Sequence, residues 1–150
     1  MNNEVKFVKY NFYGSDSKAI KPINDEYIKI NDQRHLYDLL SNIWSCDTCA
    51  PRLQNMWTKN NITLGQCSIT AFLTQDIFGG EVYGIKLDDG NYHCFNVIGD
   101  VKFDLTSEQF NEKLNYDNVY LQSREIHFSK KEKYNRYLLL KNRLLKNLQS

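Results

Sequence analysis

Leu64-Gly65-Gln66-Cys67-Ser68-Ile69-Thr70-Ala71-Phe72-Leu73-Thr74-Gln75-Asp76-Ile77-Phe78-Gly79-Gly80 reads as one helix with a punctuated start and end. Ile69, Phe72, Leu73 and Ile77 recur at the spacing of a buried helical face. Gly79-Gly80 supplies a left-handed stop without a side-chain clash. Gly65 marks the turn at the other end. Cys67 therefore falls in the first turn, where unpaired backbone N–H groups and the positive end of the helix dipole gather. That position favours the thiolate, the nucleophilic form, and the same N–H groups suit an oxyanion. The plain alternative is a small buried apolar residue, which describes most free cysteines.

Around this helix the chain alternates short extended and helical stretches, which predicts an α+β domain. Residues 5–13 are rich in aromatic and β-branched types and read as a strand, with Tyr27-Ile28-Lys29-Ile30 returning as a second. Asn31 or Asp32 caps a helix carrying Leu36, Leu39, Leu40 and Ile43; His35 sits one step off that stripe and reads as solvated or weakly hydrogen-bonded. Residues 44–63 show neither period, and a long irregular loop in a compact domain is commonly a wall of a site. Trp44 and Trp57 are its natural anchors.

Glu81 to Leu87 and Tyr92 to Ile98 read as strands, and Gly99-Asp100 as a two-residue hairpin loop into Val101 to Leu105. With Ile98 opposite Val101, His93, Phe95, Asp104 and Thr106 share one face, while Cys94 and Asn96 point to the other. Asp104, one diagonal step from His93, is then the predicted carboxylate partner of its imidazole. A slip of one residue would reverse this. Thr106 to Gln109 reads as a capping box opening a two-turn helix to Leu114. Val119 to Leu121 reads as a strand running weakly on through Ile126 and Phe128, with His127 structural or solvated. Ser129 caps a last helix to Leu148, whose apolar face is Tyr137, Leu138, Leu140, Leu144, Leu145 and Leu148.

The 150 residues form one domain, read as a strand-rich extension over 1–30 and a core over 31–150. A net charge of +1 gives no global attraction to nucleic acid or to an anionic membrane. No apolar run spans a bilayer and no secretory leader is evident, so a cytoplasmic protein with reduced thiols is expected. Cys46, Cys49, Cys67 and Cys94 are then free, metal-bound or catalytic rather than bridged. Cys46-x-x-Cys49 alternatively reads as half of a zinc site; structural zinc wants four ligands, and Cys67, Cys94 or His93 would have to complete it at the expense of the nucleophile. Neither a metal nor a cofactor is called for.

Cys67, His93 and Asp104 meet the requirements for nucleophile, base and orienting acid in chain order, with Gln66 as an added oxyanion donor. The blocks Gly65-Gln66-Cys67-x-x-Thr70-Ala71-Phe72-x-x-Gln75-Asp76…Gly79-Gly80, His93-x-x-Asn96 and Asp104-Leu105-Thr106-x-x-Gln109-Phe110 resemble the bacterial YunG-like family over roughly residues 36–148. That resemblance implies a papain-like, cysteine-proteinase-type domain with its nucleophile helix packed on a small antiparallel sheet. It places Cys67, His93 and Asp104 at the catalytic positions, with Gln66 and Asn96 as adjacent motif members. Cys94 departs from the pattern, where an aromatic residue usually follows the histidine. The expected activity is thiol-dependent hydrolysis or acyl transfer on an amide or thioester of a small molecule or peptide. A ligand-binding domain of the same fold and a zinc-stabilised interaction module are the alternatives.

Overall fold

The computed structural model describes residues 10–149. Helix α1 (Gln33–Ser41) is followed by α2 (Cys67–Phe78), strands β1 (Glu81–Lys86), β2 (Tyr92–Ile98), β3 (Val101–Phe103) and β4 (Tyr120–Leu121), then α3 (Arg124–Phe128) and α4 (Lys131–Leu148). The strands form one antiparallel sheet in the order β3-β2-β1-β4. The chain is an α+β protein built on a small antiparallel sheet.

Helix α2 is the element against which the others pack. Ile69, Phe72, Leu73 and Ile77 are fully buried, as their spacing predicts, but so are Thr70, Ala71, Thr74 and Phe78. The helix is covered by the sheet and by α4, and Trp44 reaches it from the long loop. Its polar faces survive burial because they are paired. Trp44 Nε1 donates to Thr70 Oγ1 at 2.9 Å, and Thr74 Oγ1 returns to the Thr70 carbonyl at 2.7 Å. The C-terminal Asp76, unfavourable against the helix dipole, is compensated by Arg124, 2.6 Å from Oδ1, and by the Tyr137 hydroxyl.

Tyr137, Leu140 and Leu144 of α4 are buried in the main core, with Leu138, Leu145 and Leu148 packed at its edge. The basic amphipathic helix thus covers its own domain. Its Arg136 donates to the Thr48 carbonyl and its Arg143 to Ser45 and Asp47, which ties the irregular loop to the helix.

Four local expectations are corrected. Tyr27 to Ile30 is not a strand: Asn24 caps a single 3-10 turn, Asp25–Tyr27, and Tyr27 and Ile30 are buried from a turn rather than a ladder. The predicted helix after Thr106 is only a 3-10 turn, Ser107–Gln109; Thr106 does not cap it, because its hydroxyl serves Asp104 instead. The stretch through Ile126 and Phe128 is helical, because the Ser123 hydroxyl accepts from the Ile126 amide and starts α3. Lys130, not Ser129, occupies the N-cap of α4. The strand expected over 5–13 lies mostly outside the described residues; of its end, Tyr13 bridges to Asp104.

Candidate functional site

The hairpin register places the site. Ile98 pairs with Val101, Val97 with Lys102 and Asn96 with Phe103, around Gly99 at φ +60°. In a two-residue hairpin the closing pair is hydrogen-bonded, so the backbone groups of every second residue back along β2 face the β3 side. Those residues are Ile98, Asn96, Cys94 and Tyr92. Strand β3 ends at Phe103, so it covers only Asn96–Ile98. The Tyr92 carbonyl and the Cys94 N–H are left on an open edge. The N-terminus of α2 occupies that edge, with Cys67 Sγ 3.9 Å from the Tyr92 carbonyl oxygen.

Cys67 is the first residue of α2 and is partly exposed. The turn that delivers it needs Gly65, at φ +72°, where a Cβ would stand 2.5 Å from Cys49 Sγ. The edge position lets the sulfur meet side chains from both faces of the sheet. The Cys94 thiol comes from the α2 face, where it packs with Ala71, Phe72 and Val82. His93 comes from the other face. Together they hold the Cys67 thiol well below its ordinary value: the Cys94 thiol donates to the sulfur, and His93 and the Cys94 amide add to it, against the opposing effect of burial. The same contact pushes the Cys94 thiol up.

His93 and Asp104 are both almost fully buried, and His93 Nε2 lies 2.6 Å from Asp104 Oδ2. Burial alone would lower the histidine pKa, but the carboxylate outweighs it, and with Cys67 lifts the ring to about 10. With Nε2–H donated to the carboxylate, Nδ1 is the nitrogen left for the sulfur. Nδ1 is buried and has no hydrogen-bond partner among the described residues. Phe110 stands edge-on to the ring at 4.7 Å between centroids.

Asp104 is held from four directions. Its Oδ1 accepts from the Thr106 amide at 3.1 Å and the Thr106 hydroxyl at 3.3 Å, and its Oδ2 also accepts from the Tyr116 hydroxyl at 2.7 Å. Tyr116 in turn stacks on Tyr13, whose carbonyl takes the Asp104 amide. Thr106 is legible in the sequence as a residue of the His93 face and as a supposed cap, but not as a donor to Asp104. Tyr116, outside every motif block, carries no sequence signal.

The remaining motif members lie elsewhere. Asn96 is buried on the α2 face and donates to the Ala71 carbonyl at 2.8 Å, joining β2 to the helix rather than facing the sulfur. Gln66 is fully buried and donates from Nε2 to the Ser45 carbonyl at 3.0 Å, so its amide anchors the irregular loop. The donors left free beside Cys67 are therefore the first-turn amides of α2, which have no intrahelical acceptor. Cys46 is exposed with its thiol 3.5 Å from the Gln54 carbonyl, and burial pushes the Cys49 thiol up to about 11. Among the described residues no group of three or more His, Cys, Asp or Glu side chains is arranged to hold a metal ion. His35 is hydrogen-bonded locally, its Nδ1 accepting from the Asn31 amide at 2.9 Å.

A third histidine approaches from the other side. His127 of α3 packs on Phe72 at 5.1 Å between centroids, accepts from Lys133 Nζ through Nδ1 at 2.9 Å and donates through Nε2 to Gln122 Oε1 at 2.8 Å. An open depression of about 600 Å³ beside Tyr13, Lys18 and Lys102 does not include Cys67.

Residues 32–149 match the family described as YunG protein. The chain belongs to the YunG family. It is 33% identical over 85 residues to the Bacillus subtilis (strain 168) protein described as "Uncharacterized protein YunG", an alignment covering 57% of this chain and 69% of that one. No solved structure matches. Among the described residues of this YunG-family chain no helix is long and apolar enough to cross a membrane.

Proposed function

We propose that this YunG-family protein is a thiol-dependent hydrolase or acyltransferase of papain-like type, acting on an amide or thioester of a small molecule or peptide. The observation that carries this reading is the 2.6 Å bond from His93 Nε2 to buried Asp104, which leaves Nδ1 for a cysteine at a helix N-terminus. His93 holds the thiol proton of Cys67 as an imidazolium, and Asp104 sets the tautomer and balances the charge. The thiolate attacks the acyl carbon, forming a C–S bond while the carbonyl electrons move onto oxygen. First-turn amides of α2 stabilise that oxyanion. Collapse breaks the C–N or C–S bond to the leaving group, which takes the His93 proton. Water, or a second nucleophile, then gives its proton to His93 and releases the acyl group from Cys67. The four cysteines are free, which fits a reducing compartment such as the cytoplasm.

Alkylation tests it. Iodoacetamide is expected to label Cys67 at pH 6 at least about tenfold faster than exposed Cys46. His93→Ala is expected to remove most of that advantage. Equal labelling of the two cysteines at pH 6, or a Cys67 rate indifferent to His93→Ala, overturns the reading.

A further inference from the structure

Lys133 has no carboxylate partner among the described residues. It is half-buried. An ammonium in that setting loses hydration without a carboxylate to replace it. Its hydrogen-bond partner is His127 Nδ1, a neutral acceptor, and His127 is itself oriented by Gln122. Two residues, His127 directly and Gln122 through it, thus hold the ammonium in place. They hold it toward the site: His127 packs on Phe72, which shares an apolar cluster with Cys94, and while burial lowers the Lys133 pKa, the Cys94 and Cys67 sulfurs act to raise it. Packing alone would be served as well by an apolar side chain. A fixed, partly accessible cation beside a nucleophile is suited to a negative charge on the incoming molecule.

We propose that Lys133, oriented by His127, forms a carboxylate-binding subsite beside Cys67, so that the acyl substrate carries a carboxylate close to its reacting carbonyl. This rests on the nucleophilic role proposed for Cys67. Neutral His127 adds no charge of its own; its part is to aim the ammonium, which makes it a positioning residue. Lys130 also lies close enough to act on Lys133, but it is exposed on the helix cap and takes no part in the array.

Two probes of nearly equal size separate the charge effect from thiol reactivity. Iodoacetate carries a carboxylate and iodoacetamide does not; in both, the Cys67 thiolate forms a C–S bond and iodide leaves. The ratio of their rates at Cys67 cancels any change in thiolate fraction. Lys133→Met is expected to lower the iodoacetate-to-iodoacetamide ratio by about threefold or more, Lys133→Arg to keep it within about twofold, and Lys130→Met to leave it unchanged. An unchanged ratio in Lys133→Met, or an equal fall in Lys130→Met, overturns the subsite while leaving the nucleophile reading intact. Slow iodoacetamide labelling of the unaltered protein at pH 6 overturns the nucleophile reading itself. Should Lys133→Met fold poorly, the unaltered protein still decides: a ratio at Cys67 no higher than that of N-acetylcysteine overturns the subsite.

Discussion

The Tyr116 hydroxyl donates to Asp104 Oδ2 at 2.7 Å, the same oxygen that meets His93 Nε2. The carboxylate therefore cannot turn toward one partner without losing the other. Burial, followed by the Asp104 charge, pushes the Tyr116 phenol up beyond any physiological range, so it acts only as a donor. Tyr116→Phe removes that donor and leaves the ring stacking in place. It is expected to cost about 1–2 kcal/mol in urea-induced unfolding and to slow Cys67 alkylation less than Asp104→Asn does. A larger kinetic effect from Tyr116→Phe than from Asp104→Asn would contradict this assignment.

Gly65 governs the delivery of Cys67. Any Cβ there meets Cys49 Sγ at 2.5 Å and the Ala50 amide nitrogen at 2.9 Å, at a φ that L-residues rarely adopt. Gly65→Ala is expected to destabilise by more than about 1 kcal/mol. Because the strain falls two residues before the sulfur, low-pH alkylation of Cys67 should fall with it. Thermal unfolding and labelling of the same variant check both halves.

Arg124 joins α3 to the end of α2. It donates to the Phe72 carbonyl at 2.9 Å, to Gln75 and to Asp76, and its guanidinium lies over Phe72, Phe128 and Tyr137. Arg124→Met keeps the stem and removes the charge-assisted bonds, at an expected cost of about 2 kcal/mol. A melting temperature equal to that of the unaltered protein would show these contacts to be idle.

The pH dependence separates two histidines. Burial, then the Lys133 charge, lowers His127 to about 4. Between that value and the unfolded value near 6.5, the unfolded chain binds a proton that the folded chain refuses. Stability from this group is thus present above about pH 6.5 and lost as pH falls toward 4. His93 has the opposite sign: its raised pKa stabilises below about pH 6.5 and is lost as pH rises toward about 10. Cys67, lowered, stabilises above the ordinary thiol value and loses that as pH falls. A thiolate–imidazolium pair binds one proton, and so does the unfolded neutral pair, so the two slopes offset each other between about pH 7 and 8. Urea unfolding at pH 6.5 and 4.5 is expected to show a smaller loss in His127→Gln than in the unaltered protein. Equal losses would contradict the assignment.

Much of this site could be read from local pattern. The Gly99-Asp100 loop, with period-two alternation on either side, sets the register that brings Asp104 to His93, and no distant contact is needed to deduce it. The helix at Cys67 follows from its spacing and glycines. The errors fall where the local signal is short. Tyr27 to Ile30 alternates like a strand over four residues, but Asn24 caps a turn there, and burial of Tyr27 and Ile30 does not require a ladder. Thr106 heads a plausible capping box, yet its hydroxyl has a stronger claimant in the Asp104 carboxylate. Asn96 and Gln66 share motif blocks with His93 and Cys67, but neighbours in sequence on a strand or cap point different ways.

What the sequence alone determined was the set of elements that repeat themselves within a few residues: the central helix and its glycine ends, the hairpin and its register, and the apolar face of α4. These depend on backbone preference and periodicity, which are local properties. The tertiary structure decided which edge of the sheet the helix end would fill. Because β3 stops at Phe103, Tyr92 and Cys94 keep an uncovered edge, and Cys67 takes it, between His93 on one face and Cys94 on the other. Strand length at a chain turn and the packing of His127 of α3 on Phe72 of α2 depend on long-range packing, and no periodicity encodes them.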